Sequence, residues 1–392
     1  MRLTAATAGA NKLEISASIA GAQCDSVYDA EVRLSAGNRV LSIEIDSAFG
    51  LKTDPLRPAR LYGVPCCVGS APLRISIRDS MGSTQTLSIT LPISANPRSL
   101  WKDLPSDPAA PYPKAAYSEA YLAGPAGSKL MAVSTRGRLH ANVGGFREDD
   151  YRIAYLAREQ CALIAADGAG SAPLAREGSR IAVEAALAAL SAGLQAQGAD
   201  ANPTALLVNA AQAAFASIRA QAHTLNRPVS DFNTTLLIVL CSVRAPHQVA
   251  ALQIGDGLIA AKLNDGNWTA PLCECDYGEY HGQTHFLSAL TATDAELRAR
   301  IRVHQFAQLQ TLLVATDGIV DPYFETESAL LEASAWQPFA QRLETALNVV
   351  PASGAAPEQF SHTNTNGLRE MLEEFTPGHH DDRTLALATW PI

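Results

Sequence analysis

Three times in this chain an apolar run stops on Asp-Gly: Leu163-Ile164-Ala165-Ala166-Asp167-Gly168, Leu252-Gln253-Ile254-Gly255-Asp256-Gly257 and Leu312-Leu313-Val314-Ala315-Thr316-Asp317-Gly318. Two further acidic clusters open similar runs: Glu148-Asp149-Asp150 before Tyr151-Arg152-Ile153-Ala154, and Asp381-Asp382 before Thr384-Leu385-Ala386-Leu387. An aliphatic strand cannot hold a bare carboxylate in its buried middle. At a strand end the side chain leaves the sheet. Five acidic strand ends could therefore meet at one edge of a sheet. Carboxylates gathered there repel one another unless a hard cation neutralises them, and all-oxygen sites suit Mg²⁺ or Mn²⁺.

The chain has 392 residues, 47% of them hydrophobic, enough for two domains or one large one with a sizeable core. A formal net charge of −9 argues against a nucleic-acid backbone as partner. No apolar stretch approaches the ~20 residues that span a bilayer. Met1-Arg2-Leu3-Thr4-Ala5-Ala6-Thr7-Ala8 lacks the sustained apolar core of a signal peptide. Seven cysteines, an odd number in a long chain, fit reduced thiols better than a disulfide framework. The expectation is a cytoplasmic protein with no nucleic-acid and no membrane partner.

Residues 1–92 read as an all-β sandwich, immunoglobulin-like in outline. Leu41-Ser42-Ile43-Glu44-Ile45, Leu73-Arg74-Ile75-Ser76-Ile77 and Leu87-Ser88-Ile89-Thr90-Leu91 alternate strictly, with a turn expected at 79–83. No catalytic cluster lies here, so binding or packing is the expected role. Residues 93–127 carry Pro97, Pro105, Pro108, Pro111, Pro113 and Pro125 and read as a linker or strap that Trp101 and Tyr112 can pin. From 128 onward the pattern is mixed. Strands are expected near 130–134, 151–156, 161–166, 234–242, 248–254, 311–316 and 384–389. Two long Ala-rich helices lie between the third and fourth of these. One has a stripe of Val183, Leu187, Leu190 and Leu194; the other starts at Asn202-Pro203 and has Leu207, Ala211, Phe215 and Ile218. Further helices are expected at about 289–301 and 364–374.

Glu148-Asp149, Asp167-Gly168-Ala169-Gly170, Thr234-Thr235, Ile254-Gly255-Asp256-Gly257, Ala315-Thr316-Asp317-Gly318-Ile319-Val320-Asp321 and Asp381-Asp382-Arg383-Thr384 occur in that order. The series resembles the ordered motifs of the metal-dependent protein phosphatases, the protein phosphatase 2C family, over roughly residues 128–392. Gly278-Glu279-Tyr280 with Thr284-His285-Phe286-Leu287 is similar to a segment of the family's bacterial branch. The resemblance implies an α+β fold of two stacked antiparallel β-sheets flanked by antiparallel helix pairs, here preceded by the all-β sandwich domain. It implies two Mn²⁺ or Mg²⁺ ions. Asp149 matches the acidic motif of the first strand, Asp167 would bridge both ions, and the Gly168 carbonyl would ligate one. Asp317 and Asp381 would hold the other side. Asp256 stays open between a ligand of a weaker third ion and a plain turn. Glu148 would hold metal-bound water. The implied reaction is hydrolysis of phosphoserine or phosphothreonine in a phosphoprotein. Two cations about 3.5–4 Å apart can lower the pKa of a shared water, and the bridging hydroxide attacks phosphorus directly. No nucleophilic side chain is then needed.

One departure from the family bears on substrate. Its eukaryotic-type first motif has an arginine four residues before Glu-Asp, where this chain has Gly144; Arg147 lies immediately before Glu148. His140, nine residues before Asp149, has a spacing similar to the bacterial branch and is assigned to phosphate binding or to protonating the leaving group. Two rivals follow: a weak or inactive phosphatase-like protein that binds phosphoproteins as an adaptor, and a small-molecule phosphomonoesterase. The β-module-plus-phosphatase layout also resembles phosphatases found beside a kinase and a von Willebrand factor A-type protein in tellurite-resistance-linked systems, which suggests such partners. Asp150, Asp382 and Asp321 are expected as hydrogen-bonding or capping neighbours. Cys273-x-Cys275 with His281 and His285 offers a zinc alternative, but Cys-x-Cys is tighter than the usual ligand pair.

Overall fold

The computed structural model describes residues 15–196, 201–274, 284–290, 292–324, 326–348 and 357–391. The chain divides into two compact units, Met1–Trp101 and Lys102–Ile392.

In the first unit a four-stranded sheet runs in the order Ala22–Gln23, Thr84–Ser94, Gly69–Arg78, Arg39–Glu44. A three-stranded sheet runs Tyr28–Glu31, Arg57–Gly63, Leu51–Asp54. Thr84–Ser94 buries Leu87, Ile89, Leu91 and Ile93 and leaves the residues between them outside. That alternation is what a strand with one wet face requires. The carboxylate of Asp79 accepts from the amides of Met81 (3.0 Å) and Ser83 (2.9 Å), closing the turn into this strand. The last strand extends to Ser94, past the boundary expected at 92.

The second unit stacks two antiparallel sheets. The six-stranded sheet runs Tyr117–Ala123, Lys129–Thr135, Arg383–Thr389, Thr311–Ala315, Leu258–Lys262, Trp268–Thr269. The five-stranded sheet runs Asp150–Leu156, Gln160–Ala166, Leu236–Ser242, His247–Ile254, Ile301–Phe306. Leu163, Leu237, Val239, Ile259, Leu312 and Val314 fill the space between them. The helices Ala175–Ala196 and Pro203–Thr224 cover the outer face of the five-stranded sheet, setting Val183, Leu190, Leu207 and Ile218 against Ile164, Ile238 and Leu252. The helices Trp336–Leu347 and Pro357–Glu373 cover the other sheet with Phe339, Leu343, Leu368 and Met371. Strands buried on both faces must be apolar along their buried length, and Leu236–Ser242 is apolar up to its last, half-buried residue. Among the described residues no helix is long and apolar enough to cross a membrane.

The strands Leu258–Lys262 and Trp268–Thr269 and the helix Trp336–Leu347 were not expected, and three further elements depart from expectation. Tyr117–Ala123, inside the stretch expected as linker, pairs along its whole length with Lys129–Thr135. The interval between Pro113 and Pro125 is free of proline, so every amide there can join a ladder. Ile301–Phe306 is an edge strand paired with His247–Ile254, where a helix was expected to end; the helix itself is only Asp294–Ala299, capped by Thr293. The helix expected at 364–374 begins earlier, at Pro357, and ends at Glu373.

Candidate metal centre

Register brings the motif residues together. In one sheet Asp150 faces Ala166, Ala165 faces Leu237, and Leu236 faces Ile254. In the other Leu258 faces Ala315, Ala315 faces Leu385, and Thr135 faces Arg383. Glu148-Asp149, Asp167-Gly168, Gly255-Asp256, Thr316-Asp317 and Asp381-Asp382 lie just beyond these level ends. They therefore emerge at one end of the sandwich.

Asp167, Asp256 and Asp317 each present a carboxylate oxygen within 4.8 Å of the others. Asp167 also interacts at close range with Asp149. Asp381 stands exposed at the rim and adds its charge to Asp167 and Asp317. Burial and then the Asp317 charge push the Asp167 carboxyl well above the usual carboxylate range. Burial and then Asp256 do the same to Asp317. Asp149, only 1% exposed, is raised by burial and then by the charge of Asp382. Glu148 is pushed up to about 8 by burial and the Asp382 charge, against an opposing pull from Arg176. Asp381 is raised by loss of water around it and by Asp382. All these shifts report negative charge crowded out of water.

A bound cation relieves that crowding, and the donor set fits one. Glu148 Oε2, Asp149 Oδ1 and Asp317 Oδ1 are buried acceptors without a hydrogen-bond partner among the described residues. Orphaned buried acceptors are rare in folded proteins. Anionic oxygens in this number suit a hard divalent ion rather than a soft one.

The backbone around the acids is held firmly. Asp167 N donates to Thr235 Oγ1 (2.8 Å), and Asp167 O accepts from Thr234 Oγ1 (2.8 Å) and Thr235 N (2.8 Å). A Cβ on Gly168 would meet the Glu148 carbonyl oxygen and the Ala175 backbone at 2.9 Å, so only glycine lets these segments close up. Thr316 Oγ1 donates to Asp149 Oδ2 (2.9 Å) and accepts from Thr384 N (3.0 Å). The Thr284 hydroxyl donates to Asp256 Oδ2.

Neighbouring acids have different work. Asp382 is buried and accepts backbone amides from Gly137 (2.5 Å), Glu148 and Asp149 (3.4 Å), tying the first motif to the last strand. Asp150 pairs with Lys114 (3.0 Å) and Arg152 (3.0 Å). Burial acts to raise its carboxyl, but Lys114, Arg147 and Arg152 together hold it below the usual range. Arg147 is buried and donates to Ser134 Oγ (2.7 Å) and the Asp149 carbonyl (2.6 Å), so its guanidinium braces the backbone and is not offered to a phosphate. His140 Nε2 lies 3.8 Å from Asp382 Oδ2 and 4.0 Å from Asp381 Oδ1, partly exposed at the mouth.

The reading of the sequence missed Lys114. It is the lone lysine or arginine between Lys102 and Lys129, set among prolines, and that isolation was the available signal. Cys275, His281 and Gly278-Glu279-Tyr280 lie outside the described residues, and with them the zinc alternative.

The chain is similar to known proteins. The chain matches the protein phosphatase 2C family over residues 136–361, more than half its length. It is 29% identical over 273 residues to serine/threonine-protein phosphatase 3 of Escherichia coli strain K12, a match covering 67% of this chain and 98% of that one. Among solved structures it is similar to the Staphylococcus aureus serine/threonine phosphatase Stp1, with 14% identity, 71% and 97% of the two chains covered, and a TM-score of 0.43. The Mycobacterium tuberculosis serine/threonine phosphatase PstP/Ppp gives 20% identity, 68% and 99% coverage, and a TM-score of 0.40.

Proposed function

The chain belongs to the protein phosphatase 2C family, and from that premise we propose a serine/threonine phosphoprotein phosphatase that works with two divalent cations, Mn²⁺ or Mg²⁺. The observation carrying this reading is the meeting of acidic strand ends with orphaned buried oxygens at one end of the sandwich. Asp149, Asp167, the Gly168 carbonyl, Asp317 and Asp381 would hold the pair, with Asp256 available to a third ion. When bound, such a pair activates water and neutralises the charge that develops on a phosphoryl group in displacement. The chain's own residues do the rest. Thr316 and the Thr234-Thr235 pair fix the aspartates. Glu148 stands beside them to hold water, and His140 at the mouth is assigned to the phosphate or to the departing oxygen. With Gly144 and a buried Arg147, no arginine of the first motif is left to grip phosphate, which makes His140 the natural substitute.

The family and the serine/threonine phosphatase relative support phosphoproteins over small phosphomonoesters as substrates. Cys24, Cys66, Cys67, Cys161 and Cys241 are joined by no disulfide among the described residues, and the reading is of action on cytoplasmic phosphoproteins. The layout supports a search for a partner kinase and a von Willebrand factor A-type protein by co-purification.

Pure protein should hydrolyse an aryl phosphate with Mn²⁺, stop with EDTA, and prefer phosphoserine or phosphothreonine peptides to nucleotides and sugar phosphates. Absence of Mn²⁺-dependent turnover would favour the adaptor reading. A preference for the small phosphates would favour the phosphomonoesterase.

A further inference from the structure

The proline-rich strap does more than join two units. Within the second unit it grips the loop at 136–150 at successive points. Leu104 N donates to Ala141 O (2.9 Å), Ser106 Oγ to Gly145 O (2.6 Å) and Arg136 N to Ala116 O (2.7 Å). Arg136 also donates to Ser106 Oγ (2.7 Å) and Asp103 (2.6 Å). At the end of this run Lys114 enters the interior, its side chain 8% exposed.

Its ammonium meets four groups. They are Asp150 Oδ2 (3.0 Å), the Asp149 carbonyl (3.0 Å), Ser179 Oγ (3.0 Å) and, at 3.4 Å, the Glu148 carbonyl. Ser179 Oγ in turn donates to the Glu148 carbonyl. Lys114 thus holds both carbonyls and one side chain of a three-residue run. Successive side chains on an extended backbone point to opposite sides. Drawing Asp150 toward Lys114 turns Asp149 the other way, toward Asp167.

We propose that Lys114 is a positioning residue for the metal centre: its buried ammonium locks the Glu148–Asp150 backbone so that Asp149 faces the ions. This rests on the phosphatase reading above. Lys114 lies before the stretch that matches the family, so the brace belongs to the strap and not to the matched region.

The test is Mn²⁺ binding by calorimetry on the full chain, with melting temperature and aryl phosphate kinetics alongside. Lys114→Met should weaken Mn²⁺ binding by roughly 10–100-fold, the usual cost of losing a group that orients ligands. It should lower kcat and leave KM for the aryl phosphate near its original value. Because it takes one of two paired cations from the buried Asp150 carboxylate, leaving Arg152, it also lowers stability. Lys114→Met/Asp150→Asn removes both charges and carries the measurement if the single variant does not fold. It should recover the melting temperature without recovering Mn²⁺ affinity. Affinity that returns with the melting temperature, or a folded Lys114→Met that binds Mn²⁺ like the original, overturns the positioning role and leaves the phosphatase reading intact. An unaltered chain that neither binds Mn²⁺ nor turns over phosphate removes that reading, and this inference with it.

Discussion

Strand Thr84–Ser94 of the first unit and strand Leu236–Ser242 of the second are both rich in aliphatic residues, but only the second is covered on both faces. In the first, every other residue meets water, so a polar side chain fits at alternate positions along it. In the second, helices on one side and a second sheet on the other leave no wet face. Charge is excluded from the strand body and can sit only at the ends. The helix layers therefore do two things. They complete the core, and they confine the acids to one rim, where they become dense enough to need a cation. Among its described residues the first unit has no outer helix layer, scattered charge such as the exposed Arg57–Glu31 pair, and no comparable cluster.

The sharpest way to break this contrast is to remove one clustered charge. Asp167→Asn and Asp317→Asn should each lower Mn²⁺-dependent turnover by at least about 10²–10³-fold, the scale of losing a principal electrostatic contributor. Circular dichroism should show the fold retained. Metal-free stability should be equal or higher, since repulsion is relieved. Near-original rates from either variant would detach these residues from the reaction.

Core truncation compares the strands themselves. Leu163→Ala and Ile164→Ala, adjacent and both fully buried, should each cost about 2–5 kcal/mol in denaturant melts. In the first unit Ile89→Ala should be costly, but its exposed neighbour Ser88→Ala should change stability by no more than about 0.5 kcal/mol. An equally mild Ile164→Ala would mean the helix layer does not seal that face.

Acidity should separate the units too. Glu148, at about 8, and Asp149, also raised, keep their protons in the folded, metal-free protein at pH values where the unfolded chain has lost them. More protons bound in the folded state means that stability falls as pH rises, here from about 5 through 8. In EDTA the second unit's melting temperature should drop across that window, and Mn²⁺ should restore more at pH 8 than at pH 6. The first unit should be indifferent there. Its Asp29, hydrogen-bonded by Arg60, titrates below the usual range, so its contribution disappears only on acidification. A flat profile for the metal-free second unit would contradict the crowding of carboxylates. The smallest effect is expected from removing residues 1–101, which should leave aryl phosphate turnover within about 2-fold, because the acidic strand ends all belong to the second unit.

Much of this could be read before folding. Apolar runs ending on Asp-Gly marked Gln160–Ala166, His247–Ile254 and Thr311–Ala315. The two Ala-rich helices announced themselves by their stripes and by Asn202, whose side chain accepts from Thr204 N (2.9 Å). The edge strands were harder. Tyr117–Ala123 and Ile301–Phe306 have mixed burial and weak patterns, and only pairing with a neighbour makes them strands.

What the sequence determined alone was local: which runs could be buried, and that their charges must lie at the ends. Those rules follow from the cost of dehydrating a carboxylate and need no knowledge of neighbours. Only the tertiary structure decided among adjacent acids, sending Asp149 into the cluster, Asp150 to Lys114, and Asp382 to the backbone amides of Gly137 and Glu148. The same holds for Arg147, turned inward onto Ser134. Consecutive residues leave an extended chain on opposite sides, and which side faces the cations exists only once distant strands have come into register.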